Sequence, residues 1–340
     1  MRARLASALA AGLLLLIAAC APSLMPPGPG PTVPALAGER LVMNDGMALP
    51  LRQWKTPDNP GHPPRAVIVA VHGFNDYGKA FDGPASWWAE RGIATYSFDQ
   101  RGFGEAPHRG LWAGTKRMAE DLKTATALVR RRHPGVPLYL LGESMGAAAV
   151  IVTMASEDPP EVAGVILSAP AVWARETMPF YQRGALWLAA RLIPWAKFTG
   201  RGLGKQASDN IEMLRALGRD PLVIKGTRVS AMEGLTDLMS EALAAAPRLR
   251  SRALVLYGEK DQIVPPEPVL RFWRELPEDT PTEQRRALYA TGWHMLLRDL
   301  EAELVQADIA AWITAAEQPL PSGADRDALS RLADQVEAAN

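Results

Sequence analysis

The sequence predicts an α/β protein: a mostly parallel sheet with helices on both faces and a helical cap inserted between two of its strands. Three observations carry that expectation. Apolar, β-branched runs such as Ala66–Val71, the kind buried on both faces of a parallel sheet, alternate with segments of helical apolar spacing. The alternation stops between residues 172 and 233, where a helical pattern rich in Trp, Met and Leu intervenes before strands resume. One strand-type run, Val136–Leu141, leads directly into Gly142-Glu143-Ser144-Met145-Gly146, and a small-residue helix pattern follows at once.

The bulk numbers narrow the function classes. A chain of 340 residues forms one large domain or two modest ones. Lys plus Arg number 37 and Asp plus Glu number 37, so no net field recruits nucleic acid. The single cysteine, Cys20, rules out an internal disulfide and a Cys-based metal site. His62, His72, His108, His133 and His294 are scattered without metal-ligand spacing, so neither metal nor organic cofactor is expected.

The N-terminus reads as an address. Arg2 and Arg4 precede the apolar run Leu5–Ala19, which falls short of the roughly 20 residues a spanning helix needs. Leu16-Ile17-Ala18-Ala19-Cys20 resembles the lipobox of bacterial lipoprotein signal peptides. The resemblance implies cleavage before Cys20 and lipidation of that residue, with Ala21 pointing to the outer membrane, facing the periplasm. A plain signal peptide or an uncleaved anchor is the alternative. Residues 20–38 then carry six prolines, three glycines and no charge. Such a segment reads as a polyproline II tether outside the catalytic body, roughly 50 Å long if extended.

From residue 39 the elements follow in order. Glu39–Lys55 reads as a hairpin turning at Asn44-Asp45-Gly46, and Ala66–Val71 as a buried strand ending in His72-Gly73-Phe74-Asn75-Asp76. Ile93–Phe98 is the next strand, closed by Asp99-Gln100-Arg101-Gly102-Phe103-Gly104-Glu105. Lys116–Arg132 is a helix whose last-turn cations Arg130, Arg131 and Arg132 complement its dipole, which accounts for them better than a binding patch does. Val162–Leu167, Ala253–Tyr257 and Arg286–Tyr289 are further strands, and a helix runs near Leu235–Ala245. The core is thus assigned to residues 39–171 and 234–318, and the cap to 172–233. Residues 319–340 form a polar, helical tail with no functional reading.

The Gly-x-Ser-x-Gly at residues 142–146 sits where a serine can be raised on a tight strand-to-helix turn, with glycines keeping side chains clear of the backbone. Asp261 lies just past a strand's carboxyl end, where open α/β sheets place catalytic groups. His294 follows the last strand in Gly292-Trp293-His294. Taken singly, Asp261 is an ordinary turn aspartate and His294 a helix-start histidine; in the order Ser144, Asp261, His294 they read as nucleophile, orienting acid and base. His72 is read as serving its loop's structure.

These motifs resemble the monoacylglycerol lipase and lysophospholipase branch of the α/β-hydrolases, grouped with serine aminopeptidase S33-like hydrolases. They are His72-Gly73-Phe74, Asp99–Gly104, Gly142–Gly146, Gly258-Glu259-Lys260-Asp261 with Val264-Pro265, and Gly292-Trp293-His294. The resemblance spans about residues 39–316, strong in the core and weak in the cap. It implies an α/β-hydrolase fold, oxyanion donors at the backbone N–H groups of Phe74 and Met145, and ester hydrolysis through an acyl-enzyme. Two positions depart from the pattern. Glu143 stands where relatives often have His, and Glu105 where Ser is usual; both are expected to leave the chemistry untouched. Ser144 excludes the hydrolases that use an Asp nucleophile.

The expected substrate is a single-chain lipid ester, a monoacylglycerol or lysophospholipid. An aryl esterase, lactonase, amidase or acyltransferase uses the same machinery, and a catalytically silent surface-binding lipoprotein is a reading of another class. In the cap, Trp187 and Trp195 are expected to line an acyl pocket with Leu188, Leu192 and Ile193. The six basic residues between Arg175 and Lys205 suit a solvated face and a lipid-facing one equally.

Overall fold

The computed structural model describes residues 25–57, 63–200, 202, 204–278 and 283–339. The leader and Cys20 lie outside the described residues. The chain starts with β1 (Ala35–Leu36), β2 (Arg40–Val42), β3 (Ala48–Trp54) and β4 (Ala66–Val71), then α1 (Asp82–Ala89), β5 (Ile93–Phe98) and α2 (Thr115–Arg132). The centre is β6 (Leu138–Glu143), α3 (Met145–Met154) and β7 (Gly164–Ser168). The intervening segment holds α4 (Phe180–Leu192), β8 (Lys197–Phe198), α5 (Ile211–Arg219) and β9 (Thr227–Arg228). Last come α6 (Val229–Ala245), β10 (Ala253–Gly258), α7 (Pro266–Glu275), β11 (Gln284–Tyr289), α8 (Ala302–Thr314) and α9 (Ala328–Ala339).

Nine strands make one sheet in the order β1-β2-β3-β5-β4-β6-β7-β10-β11. The pairs from β5 to β11 are parallel, and β1, β2 and β3 are added antiparallel at one edge. Every residue of β4, β6, β7 and β10 is buried, as strands covered on both faces must be. Alternation along β4 feeds two cores. Val67, Val69 and Val71 pack with α2, α3, α6 and α7 on one face, while Ile68 and Ala70 pack with α1 and α8 on the other. β6 therefore lies inside the sheet, flanked by β4 and β7, and its carboxyl end carries Ser144.

Three sequence expectations change. Residues 20–38 were assigned to a tether, yet the described part joins the body. Its amides find acceptors in the hairpin turn: Gly28 donates to the Asp45 carboxylate (3.0 Å), Gly30 to Asp45 O (2.9 Å) and Thr32 to Asn44 O (2.9 Å). Ala35 and Leu36 then pair with Val42 and Leu41, covering an edge that would otherwise stand open. The helix expected near Leu235 begins six residues earlier, at Val229. The polar tail is also no free end, because α9 buries Ala328 and Leu332 in the larger core.

The Asp99–Gly104 motif works in two places: Gln100 and Phe103 pack on His72 behind the site, while Arg101 builds structure away from it. Arg101 is buried and forked between Asp121 (2.6 and 2.9 Å) and Asp45 (2.7 and 2.9 Å), tying the hairpin to α2. Its hydrogen bonds hold the Asp45 carboxyl well below the usual carboxylate range. A depressed carboxyl stabilises the fold above its unfolded pKa, and that stability fades as pH falls towards the folded value. Asp45→Ala should lower stability by about 1–2 kcal/mol, the scale for losing part-buried hydrogen bonds to a charged group, because Arg101 keeps Asp121 as its partner. Urea unfolding at neutral pH measures it, and the deficit should shrink in acid.

Candidate active site

The site is built at the carboxyl ends of β4, β6 and β10. Ser144 joins β6 to α3 with φ 54° and ψ −113°, a strained left-handed conformation that non-glycine residues seldom adopt. Its flanks explain how the turn closes. A Cβ at Gly146 would lie 2.0 Å from the Val71 carbonyl oxygen, and one at Gly142 would lie 2.4 Å from the Ala147 backbone. Only glycine fits either place. Ser144 N–H donates to Ser168 O (2.9 Å), and its carbonyl accepts from Ala171 N–H (3.1 Å), so both neighbouring segments lock the turn.

Asp261 and His294 are brought together from the last two strand ends. His294 Nδ1 donates to Asp261 Oδ2 at 2.7 Å, both side chains being buried. The other carboxylate oxygen, Oδ1, accepts Ile263 N–H (2.7 Å) and Val264 N–H (3.0 Å), which fixes the carboxylate plane. The loops themselves are stitched by Glu259 N–H to Tyr289 O and Lys260 N–H to Gly292 O, each 3.0 Å. Burial pushes the His294 pKa down, but the Asp261 charge and hydrogen bond outweigh it, and the pKa ends above its ordinary 6.5. With Nδ1 bound to Asp261, Nε2 is the nitrogen left for a proton from a nucleophile.

Phe74 borders the same space, and Met145 follows Ser144 directly beneath it. Met145 is the first residue of α3, where backbone N–H groups lack intrahelical acceptors. Gly73 sits so close that a Cβ there would be 3.5 Å from the Ser144 Cβ, which puts the Phe74 loop beside the serine. His72 is buried and occupied. Its Nε2 accepts from Gln100 N–H (3.0 Å), so Nδ1 carries the proton donated to Gly73 O (2.8 Å). It holds the loop, as the sequence suggested.

Ser144, His294 and Phe74 open on a cavity of about 510 Å³. One wall is the row Met232, Leu235, Thr236 and Met239 on α6, and opposite stand Trp173, Met178 and Leu186 from the segment preceding and including α4. Trp187 and Trp195, expected as substrate-binding residues, do not line it. They are 51% and 56% exposed, as are Leu188 and Leu192 at 51% and 57%. The row Gln182, Leu186, Ala190 turns inward instead: the first two line the cavity and Ala190 is buried. Trp187 carries the Arg191 guanidinium 4.1 Å from its ring centre on the outer side. Met232, Leu235 and Met239 do recur at the three- and four-residue spacing of a helix face, a pattern that starts just ahead of the expected helix. Glu143, which stands where relatives often have His, lies in the cavity wall with Asp76 and Arg298. Among the described residues no cluster of His, Cys, Asp and Glu could hold a metal ion.

Known proteins resemble this chain in sequence and in fold. The chain is 26% identical over 264 residues to a monoacylglycerol lipase of Mycolicibacterium smegmatis, covering 76% of this chain and 90% of that one. It is 27% identical over 281 residues to a monoglyceride lipase of Rattus norvegicus, covering 81% and 89%. Among solved structures, a Paleococcus ferrophilus monoacylglycerol lipase superposes with a TM-score of 0.66 at 24% identity, covering 79% of this chain and 99% of that one. A soluble variant of a Saccharomyces cerevisiae monoglyceride lipase, bound to a substrate analogue, also gives 0.66 at 20% identity, covering 85% and 98%. The fold is therefore that of the α/β-hydrolases. Residues 62–301 match the Hydrolase_4 family, described as serine aminopeptidase, S33, and with well over half its length inside that match, the chain belongs to this family of serine hydrolases.

Proposed function

We propose that this ester-hydrolysing serine hydrolase cleaves single-chain lipid esters, a monoacylglycerol or a lysophospholipid, while lipid-anchored through Cys20 on the periplasmic face of the outer membrane. The observation that carries the substrate reading is the cavity, which sets a largely apolar, chain-sized space directly over Ser144 and His294. The monoacylglycerol and monoglyceride lipases similar to this chain support it. In the reaction, His294 Nε2 takes the Ser144 proton and the serine oxygen attacks the ester carbonyl. The Phe74 and Met145 N–H groups hold the oxyanion, a donor of this kind being worth about 3 kcal/mol. Alcohol leaves with the proton from His294, and water repeats the sequence on the acyl-enzyme. Asp261 keeps the tautomer and stabilises the imidazolium.

The membrane reading rests on the lipobox-like sequence and on the outer side of the cap. Phe180, Tyr181, Trp187, Leu188, Leu192, Trp195 and Phe198 are all exposed, with Arg183, Arg191 and Lys197 exposed among them. A contiguous apolar face of this kind marks a contact surface, and the interspersed cations suit anionic headgroups. No helix among the described residues is long and apolar enough to cross a membrane.

Ser144→Ala should abolish fluorophosphonate labelling and hydrolysis of both monoacyl esters and 4-nitrophenyl acetate with the fold retained; persistent labelling would overturn the assignment. Activity needs neutral His294, whose pKa is raised, so kcat/KM should fall on the acid side with a midpoint above 6.5. Asp261→Asn should cost about 10⁴ in kcat. Trp187→Ala with Trp195→Ala should weaken binding to vesicles containing phosphatidylglycerol and leave kcat/KM for 4-nitrophenyl acetate unchanged. Cys20→Ala should remove the acyl mass and release the protein from the outer-membrane fraction. Unchanged mass and fractionation would end the anchor proposal.

A further inference from the structure

Three separate chain segments must be held in register for Ser144 to react: the oxyanion loop, the nucleophile turn and the base loop. One guanidinium touches all three. Arg298 lies four residues past His294 and is buried, its side chain 10% exposed. Its Nη1 donates to Asp76 Oδ2 at 2.8 Å, and Asp76 is two residues beyond Phe74. Its Nη2 donates to Glu143 Oε1 at 2.6 Å, and Glu143 immediately precedes Ser144. A planar fork suits this task, because its two arms fix the angle between the carboxylates as well as their distance.

The cluster is poorly explained as a stabilising device. Glu143 is 2% exposed at the side chain, yet its Oε2 has no hydrogen-bond partner among the described residues, and neither has Arg298 Nε. Buried charges left half satisfied are destabilising relative to apolar packing, and a register role is their best-attested use. The unpaired oxygen also leaves two carboxylates against one guanidinium in the cavity wall.

We propose that Arg298 is a positioning residue that clamps the Phe74 loop, the Ser144 turn and the His294 loop in one register, and that Glu143 sets the charge around the base. The inference rests on Ser144 and His294 acting as nucleophile and base. Asp261 from the loop after β10 bonds His294 directly, while Glu143 from the end of β6 and Arg298 from its own loop line the same cavity as His294. Asp76 stands behind Arg298, and Asp299 holds the Trp293 N–H at 2.8 Å. Burial lowers the His294 pKa, Asp261 and then Glu143 raise it, and Arg298 lowers it.

The test uses Arg298→Lys, Asp76→Asn and Glu143→Gln in the full chain, with 4-nitrophenyl acetate as substrate. Lysine keeps the charge but cannot fork to two carboxylates. Arg298→Lys should therefore lose about tenfold or more in kcat, as small misplacements of reacting groups do, with KM little changed and the acid limb of the pH profile in place. Asp76→Asn leaves one oxygen for two donors, Arg298 Nη1 (2.8 Å) and Tyr77 N–H (2.9 Å), and removes the charge. It therefore weakens one arm and should give the same split, which keeps the clamp testable if the lysine variant does not fold. Glu143→Gln preserves shape and removes a negative charge, so its acid limb should move to lower pH. All three should still label completely with fluorophosphonate at long times, whereas loss of the triad reading would appear as labelling that survives Ser144→Ala. Wild-type kcat in a folded Arg298→Lys or in Asp76→Asn, or a loss confined to KM, overturns the clamp. An unmoved acid limb in Glu143→Gln overturns the charge role.

Discussion

The catalytic end of the sheet depends on a backbone contact: the first turn of α3 lies against the Val71 carbonyl at a distance that admits no side chain on Gly146. That approach packs α3 down on β4 and leaves the chain no room between β6 and the helix except a sharp, left-handed turn. Ser144 occupies the turn at φ 54°, so its strained backbone follows from how strand and helix pack. The same contact brings the loop after β4 beside the serine, because β4 ends at Val71 and the oxyanion loop starts immediately after it. The proposed nucleophile and the loop proposed to hold the oxyanion are thus placed by one packing constraint between buried central strands.

Electrostatics then arranges what packing cannot. Asp261 commits one oxygen to two amides and the other to His294, so the base is oriented by a carboxylate that is itself immobile. The two loops concerned leave adjacent parallel strands, β10 and β11, and cross-link through backbone hydrogen bonds before either side chain is reached. Burial of His294 would alone favour its neutral form, and the carboxylate reverses that tendency. The site accordingly favours storing a proton on His294, which suits a base that must hold one between attack and departure of the alcohol.

How much of this was legible in the sequence differs by physical origin. Ala66–Val71 was readable to the residue because burial on both faces leaves an unbroken apolar run, and Ile93–Phe98 because its β-branched and aromatic residues mark a strand even though Thr95 and Ser97 interrupt the apolar run. Ser144, Asp261 and His294 were readable because the chemistry needs fixed residue types at strand ends. The cap face was not. Phe180, Tyr181, Trp187, Leu188 and Leu192 share one side of α4. That large apolar stripe, which periodicity alone assigns to the interior, is the exposed one, while the inward side carries only Gln182, Leu186 and Ala190. The pairing of Arg298 with Asp76 and Glu143 joins positions 222 and 155 residues apart, and no local pattern reports such a distance. The docking of residues 28–36 escaped for a similar reason: a proline-rich segment has no side-chain period, and what it offers the body is its few free amides.

The C-terminal helix changes where the working enzyme ends. Gln335 donates to the Glu259 carbonyl at 2.8 Å, and Arg331 pairs with the Glu259 carboxylate. Glu259 lies two residues before Asp261, on the short loop that presents it. The family match stops at residue 301, so the brace on the acid's loop lies outside the matched residues. The matched region and the mechanical unit therefore end in different places. A chain trimmed to its recognisable family portion would keep the three reactive side chains and lose a prop beneath one of them.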